Sequence, residues 1–595
     1  MKFRISVLLT ALLSVGLVAC NDDNDNSKTN TPAEVVETTP ETIKLSLLGR
    51  YETNVFAKSA AEIPAYDVAS KRLFVVNAQK GLVDVLDASK PEKPVHIAEL
   101  SARTYLANSE VNSVAVKNGI VAIAVQAEKK TDTGIVVFFN AKDLSFISKV
   151  AVGSLPDMLT FSLDGKTVLV ANEGEPNDDY SVDPEGSVSI IDISNIQQPK
   201  ASVADFKAWN SQKADLIAKG VRIFGPNASV AQDLEPEYIT ISADSKTAWV
   251  TLQENNAIAR IDIAQQKVTD IYPLGYKDHG QIGNELDVSD KDKKIDIKTW
   301  AGLVGMYQPD SIANYQANGQ TYLVTANEGD SREWLKDSKA YYAGDASKGF
   351  VENIRMKHLF NSKGFNKDGD YPAHLQQLAA GVKGAKLNPV TFAYCGATAT
   401  TAGACRDDAA LGRLNIAWNM GYQTNADGSA KLDANGLLTY DKLYAYGARS
   451  FSIWNIQGQL VWDSGSEFEK KTAELFPNYF NSDHEAAAFD DRSDNKGPEP
   501  EGIAVGTIGK KTFAFIGLER MSGVMVYDIT TPNKPKFIEY FTTRNFVETD
   551  AAKQGDLGPE GLIFITAKDS PNGKPLLVVG NEVSGSTAVY QVNVQ

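Results

Sequence analysis

The apolar positions of this chain fall in short runs, not in long helical stripes. The fullest example is "LPDMLTFSLDGKTVLVANEGEPNDDYSVDPEGSVSIIDIS", which begins at Leu155. Phe161 precedes the turn Leu163-Asp164-Gly165-Lys166, "TVLVAN" is an apolar β-branched run, and "SVSIIDI" follows a polar loop. Runs of this length and composition predict strands buried on both faces, and Asp-Gly predicts a hairpin turn. The same order of strand, turn, strand, loop and strand returns at "IPAYDVASK", "VNSVAVKNG", "EPEYITISADSK", "QPDSIANYQANGQ", "EPEGIAVGTIGKK" and "GPEGLIFITAKD". Segments such as "PKASVADF" and "PKFIEYFTTR" supply outer fourth strands. Seven such units predict an all-β chain folded as a seven-bladed β-propeller.

The pattern also predicts how the ring closes. The last unit stops after its third strand, at Val594-Gln595, while an orphan strand, "IKLSLLGRYET", precedes the first unit. That orphan can complete the last blade and remove an open edge. The fifth unit is interrupted: "QPDSIANYQANGQTYLVTANEGDSREW" resumes only at "LYAYGARSFSIWNI". Residues 331–440 are therefore expected to form a cap, with helical pieces such as "YPAHLQQLAAGV". The propeller is expected to run from 43 to 595.

The N-terminus carries a different signal. Lys2 and Arg4 precede the apolar run "ISVLLTALLSVGL", which is short for a membrane span. It ends in Leu17-Val18-Ala19-Cys20, which resembles a bacterial lipobox. Residues 1–19 then read as a lipoprotein signal peptide, Cys20 as the lipidated residue, and 20–42 as a disordered tether. The alternative is an ordinary secretory signal. Asn21 resembles outer-membrane sorting, which makes the expected location the bacterial cell envelope and the first partner a membrane. In that oxidising compartment Cys395 and Cys405, ten residues apart, are expected to close a disulfide; a thiolate metal site would lack further cysteines.

Charge then narrows the chemistry. Among 595 residues, 59 Lys and Arg stand against 75 Asp and Glu, a net charge of −16 that argues against a nucleic-acid binder. The acids are patterned. Pro-Glu or Pro-Asp opens units, giving Asp157, Glu237, Asp310, Glu501 and Glu560, with Glu235 and Glu499 just before the proline. A second dipeptide ends the second strand, giving Glu173, Glu328 and Glu582 after Asn, and Glu254 and Glu519 in equivalent slots. In a propeller both places lie on one face near the central channel. Crowded carboxylates recruit cations, and oxygen donors suit Ca²⁺ or Mg²⁺. Glu173, Glu237, Glu328, Glu501, Glu519, Glu560 and Glu582 are the candidate metal ligands. Arg332, Arg449, Arg492 and Arg520 lie beside them and suit a phosphate- or carboxylate-bearing ligand, or else neutralise the acids in an ion-pair belt. Asp192, Asp262 and Asp528 end third strands and read as turn acceptors. His484 lies near the "FDDRSDNKGPEPEG" loop and reads as a surface residue, with the mouth as the alternative, and "NKDGD" at 366–370 is a fragmentary calcium-loop pattern. The chain holds no P-loop, HExxH or GxSxG sequence.

Several phrases carry a family resemblance. "LVANEGEP", "TANEGDSREW", "LYAYGARSFSIW", "FDDRSDNKGPEPEGIAVG", "AFIGLERMSGVMVYDIT" and "LLVVGNEVSGS" together resemble the choice-of-anchor I family of bacterial surface proteins, from about Ile43 to the C-terminus. Relatives labelled alkaline phosphatase-like, and an animal biomineralisation glycoprotein, would imply a site for calcium and phosphate. Two functions follow as expectations. One is an envelope-anchored module that binds a ligand with a divalent cation at its acidic mouth. The other is a calcium-dependent phosphoesterase, in which a metal-activated water attacks the ester.

Overall fold

In the computed structural model, residues 38–360 and 375–595 are described. Cys20, the tether up to residue 37 and the "NKDGD" segment lie outside them. The described chain is all-β in character, with ten sheets and short helices only.

Seven of the sheets are four-stranded and antiparallel. Their first strands are Pro64–Asp67, Glu110–Lys117, Pro156–Phe161, Ile239–Ile241, Ile312–Ala317, Pro500–Ile508 and Pro559–Ile565. Each first strand lies beside that of the next sheet, and the seventh lies beside the first.

The reason is written in the middle strands. Ile120–Gln126 is buried on both sides. Its residues Val121, Ile123 and Val125 pack with the first sheet, while Ala122 and Ala124 pack with the third. In Thr167–Asn172, Val168 and Val170 face back to the second sheet, and Leu169 and Ala171 face forward to the fourth. Leu576 and Val578 pack with the first sheet, and Leu577 and Val579 with the sixth. Alternation of period two therefore sends each sheet's side chains into two separate cores. A sheet apolar on both faces needs two neighbours, and a closed cycle supplies them throughout.

The N-terminal strand completes the last sheet. Ile43–Glu52 pairs antiparallel with Ser586–Val594, from Ile43 opposite Val594 to Glu52 opposite Ser586. Ile43 and Leu45 are buried against the sixth sheet. Backbone hydrogen bonds thus join the first described strand to the last, giving that sheet its fourth strand.

The fifth sheet contains the expected interruption. Asn327 ends its second strand and pairs with Ser450, which begins its third. The segment between them has its own apolar core, including Phe392, Trp418 and Tyr440, and the Cys395–Cys405 disulfide lies within it. Two details differ from the sequence reading. Residues 371–374 of "YPAHLQQLAAGV" lie outside the described set, and Leu375–Gln377 is only a 3-10 turn. The segment is also joined by a stretch between the fourth and fifth sheets: Leu303–Met306 pairs parallel with Leu443–Ala445, and Leu286 and Val288 enter its core. Nothing local in "ELDVSDKDKKIDIKTWAGLVGM" announces that partner. The turn acceptors behave as expected, with Asp192, Asp262 and Asp528 accepting from the backbone N–H groups of Ser194, Gln265 and Thr530.

If the N-terminal strand closes the molecule, its buried side chains carry stability and its exposed ones do not. Leu45→Ala is expected to cost about 2–5 kcal/mol, as for other buried leucines. Lys44→Ala should change stability by less than about 0.5 kcal/mol. Denaturant titration of the two variants checks this, and equal, small effects would remove the strand from the folding core.

Candidate functional site

The acidic phrases converge because of their backbone. Four residues that precede the prolines adopt left-handed conformations: Leu155 (φ 46°), Gln308 (φ 42°), Glu499 (φ 53°) and Gly558 (φ 69°). Three of these are not glycine, so the conformation is imposed by the surroundings. After the proline the register slips, between Pro156 and Leu159, Pro500 and Ile503, and Pro559 and Leu562. Asp157, Glu501 and Glu560 sit on these irregular steps, where a bulge can re-aim a side chain. The glycine that follows has a separate reason. A Cβ on Gly502 would meet the carbonyl oxygen of Glu560 at 1.7 Å, so neighbouring first strands approach too closely for any side chain there.

The second dipeptide divides its labour. Asn172, Asn327 and Asn581 are buried. Asn172 Nδ2 donates to Ser189 Oγ at 3.0 Å, Asn327 Nδ2 to Ser452 Oγ at 2.7 Å, and Asn581 Nδ2 to the carbonyl oxygen of Ser586 at 3.2 Å. The asparagine thus pins the second strand to the third. Opposite it stands the proline of the first motif, with Asn172 facing Pro156 and Asn581 facing Pro559. The acid after each asparagine is delivered beside the acid after each proline.

Six sheets each bring one carboxylate to the start of the first strand: Glu62, Asp157, Glu237, Asp310, Glu501 and Glu560. The second sheet's first strand begins with the exposed Glu110 and has Asn112 at its register slip, bonded to Gln126 and to the carbonyl of Pro156. These acids act on one another across sheets. Burial, then Glu582 and Asp157, pushes Glu62 up to about 8. Burial and then Glu175 pushes Asp157 up to about 7. Burial, with Asp310 and Glu254, holds Glu237 well above its ordinary range. Glu501 and Glu560 are raised in the same way, first by burial and then by Glu519 and by Glu62, respectively. Asp310 is raised by burial and Glu328. Two buried oxygens, Glu237 Oε2 and Glu501 Oε2, meet no hydrogen-bond donor.

Cations of the protein occupy only part of this mouth. Glu499 is fully buried and is the exception among the acids: burial opposes its charge, but Lys496, Arg492 and Arg520 together hold it well below the usual range. Arg492 Nε and Arg520 Nε each donate to Glu499 at 3.0 Å. Lys496 also bonds Glu328, whose second oxygen accepts from Gln253 at 3.0 Å. Arg520 reaches Glu519 at 2.9 Å. On the other side Glu62, Glu560 and Glu582 each bring an oxygen within 4.8 Å of the others, and Ser59 Oγ donates to Glu582 at 3.2 Å.

The seven candidate metal ligands therefore separate. Glu560 and Glu582 stand with Glu62 in an acid group, Glu237 and Glu501 each leave an oxygen unpartnered, and Glu328 and Glu519 are ion-paired. Glu173 lines a small cavity of about 80 Å³ with Glu175, Glu235, Glu237, Gln253, Glu254 and Asp330. The four arginines separate too. Arg332 is buried against Asp233 at 2.8 Å and Glu235 at 2.9 Å. Arg449 is buried against Glu469 and the carbonyls of Asp287, Ser493 and Asn495. Both are committed to the protein, the ion-pair role left open by the sequence. Arg492 and Arg520 keep partly exposed side chains at the mouth.

His484 follows the alternative reading and not the surface one. It is buried, 3.3 Å from Glu519, and grouped with Glu519 and Glu582. Glu62, Glu175, Asp330 and Lys496 were not singled out from the sequence. Glu62 has a signal, an acid just ahead of the first strand, but it precedes "IP" instead of following Pro. Lys496 opens the "KGPEPEG" phrase itself.

The family model of the choice-of-anchor I domain matches residues 62–532. Gigasin-3a of Magallana gigas is 30% identical over 198 residues, which cover 31% of this chain and 66% of that protein. The mesenchyme-specific cell surface glycoprotein of Strongylocentrotus purpuratus is 25% identical over 394 residues, 61% of this chain and 44% of that protein. The chain thus spans less than two thirds of the length of both curated relatives. Among solved structures, Kuenenia stuttgartiensis hydrazine synthase aligns over 92% of this chain and 100% of its own, at 14% identity and a TM-score of 0.41. The β-propeller domain of Cps50 (Swd1) from Myceliophteria thermophila aligns over 91% and 100%, at 8% and 0.38. No helix among the described residues is long and apolar enough to cross a membrane.

The raised carboxyls set a pH dependence. A group at about 8 in the folded chain and near 4.5 when free holds its proton more tightly in the native state across that window. Stability of the metal-free protein should therefore fall as pH rises from about 4.5 to 8. Glu62→Gln removes part of this slope, so it should raise Tm at pH 8 and leave it nearly unchanged at pH 4. Thermal melts in chelator at the two pH values decide, and an equal fall at both would make Glu62 a purely structural residue.

Proposed function

The chain belongs to the choice-of-anchor I family, and from that premise we propose that it is a surface-associated seven-bladed β-propeller that binds a divalent cation at its acidic mouth. Through that cation it binds an anionic ligand. The cyclic contact of the seven first strands supports the propeller, and the separately cored segment within the fifth sheet supports a cap formed by residues 331–440. A lipid on Cys20 would hold the protein at the bacterial envelope, and the cell-surface name of the sea-urchin relative agrees with surface placement.

One observation carries the cation reading: Glu237 Oε2 and Glu501 Oε2 are buried carboxylate oxygens without a donor, in a ring of acids from six sheets. An unpaired buried carboxylate is costly, and either protons or cations relieve it. The donor set is all oxygen apart from His484, which fits Ca²⁺ and, second, Mg²⁺. Glu62, Glu560 and Glu582 are the ligands of choice because no lysine or arginine among the described residues pairs with them. Arg492 and Arg520, on the neutralised side, would face a phosphate or carboxylate of the ligand.

Mass spectrometry of protein purified without added metal or chelator tests the site. Calcium should be present, and Glu560→Gln or Glu501→Gln should lower it while the circular dichroism spectrum is kept. Unchanged calcium in both variants would move the cation elsewhere, and unfolding of both would make the acids structural. With calcium bound, turnover of a phosphate ester would extend binding to catalysis. A membrane-fractionation experiment tests the anchor: Cys20→Ala should release the protein from the membrane, and retention would leave an uncleaved or non-lipid attachment.

A further inference from the structure

A second acid group shares no residue with the mouth. Asp287 and Asp292 belong to the stretch between the fourth and fifth sheets, and Asp490 to the loop that leads into the sixth. One carboxylate oxygen of each lies within 4.8 Å of the other two. Asp287 and Asp490 are each only 1% exposed, and the Asp292 side chain is 5% exposed.

Their remaining bonds do not neutralise them. Asp287 accepts from the backbone N–H groups of Ser289 at 3.2 Å and Asp296 at 2.6 Å. Asp490 Oδ1 accepts from Ser493 Oγ at 2.5 Å. Asp490 Oδ2 is buried and meets no donor. Lys294 stands 3.9 Å from Asp292, on a side chain that is 58% exposed. Among the described residues no lysine, arginine or histidine pairs with Asp287 or Asp490. A further orphan lies beside this group. Asn481 is fully buried, its Nδ2 donates to Ser493 Oγ at 2.9 Å, and its Oδ1 has no donor.

We propose that Asp287, Asp292 and Asp490 hold a structural Ca²⁺ ion, separate from the mouth, that ties the inter-sheet stretch to the loop carrying Arg492, Lys496 and Glu499. Three carboxylates with a buried donorless oxygen are an all-oxygen, doubly-to-triply negative site, the chemistry that hard divalent cations satisfy. Burial, with the charges of Asp287 and Asp292, also pushes Asp490 up to about 8, and burial pushes Asp287 up to about 6. The same two segments are already bridged once. Arg449 donates to the carbonyl of Asp287 at 2.7 Å and to that of Ser493 at 2.9 Å. The ion would be the second bridge, two residues before Arg492. Its consequence is positional: the loop it braces delivers the groups that neutralise one side of the mouth.

The test compares the full chain, purified without added metal or chelator, with Asp490→Asn, Asp292→Asn and the mouth double variant Glu501→Gln/Glu560→Gln. Asn suits position 490, because its left-handed backbone (φ 67°) is one that Asn adopts readily. Each aspartate variant should lose one calcium per chain relative to the parent, and the rise in Tm on adding CaCl2 after chelation should shrink. The mouth variant should keep that ion. Calcium content and a Tm response in Asp490→Asn and Asp292→Asn equal to those of the parent would overturn the proposal. Because the mouth variant is read in parallel, an empty mouth and an empty aspartate site give different results: the first leaves the mouth variant unchanged, the second leaves the aspartate variants unchanged. If Asp490→Asn does not fold, Asp292→Asn decides, since its side chain borders a solvent-facing lysine.

Discussion

The constraint on which this molecule depends is that its sheets are apolar on both faces. A strand such as Ile120–Gln126 cannot be covered by one neighbour, since Val121, Ile123 and Val125 need one core and Ala122 and Ala124 another. Seven sheets stacked in a cycle meet that need without leaving an end face bare. The cycle has a geometric consequence. Neighbouring first strands touch, so the residues that start them are brought close to one another. Six of the seven sheets place there an acid that is not exposed, and the second begins with the exposed Glu110. The crowding of charge is a product of the same packing that stabilises the fold.

The fold tolerates this crowding unevenly. On one side Lys496, Arg492 and Arg520 surround Glu499 so closely that it stays ionised despite complete burial. Arg332 is ion-paired with Asp233 and Glu235 at a neighbouring point. On the other side Glu62, Glu560 and Glu582 approach one another with a serine hydroxyl as the contact that moderates them. A mouth half neutralised and half acidic is an electrostatically polar surface. An anion would be held where the arginines are, and a cation where they are not. The proposed ligand, bridging metal and guanidinium, matches that division better than either ion alone.

The loop from Asn481 to Glu499 contributes to both acid groups. It contributes His484, Arg492, Lys496 and Glu499 to the mouth, and Asp490 and Ser493 to the buried aspartate group. Its residues Asn481, Asp490 and Glu499 all have positive φ without being glycine. Such a backbone is held by its contacts, and Arg449 supplies two of them, to the carbonyls of Ser493 and Asn495. The arginine expected at the ligand is therefore a brace for the groups that are there.

Much of this was legible in the residues themselves. Period-two burial, Asp-Gly turns and repeated "PE" and "NE" phrases are local, and they determined the strands, their grouping into four-stranded sheets and the orphan strand that pairs with the last one. The left-handed step before proline was not legible, because Leu155 and Gln308 have no intrinsic preference for it. Charge state was not legible either. Glu499 and Glu501 are two residues apart in one phrase, yet one is held ionised by three cations and the other is raised by burial and neighbouring acids. His484 and Arg449 look alike in sequence to any polar residue beside an acid, and only packing puts the first in the mouth and the second beneath it. The joining of "ELDVSDKDKKIDIKTWAGLVGM" to the segment inside the fifth sheet also needed the structure. The sequence alone determined which strands form and where they repeat, since that depends on neighbours along the chain; tertiary structure decided which acids keep their charge, since that depends on cations brought from other sheets.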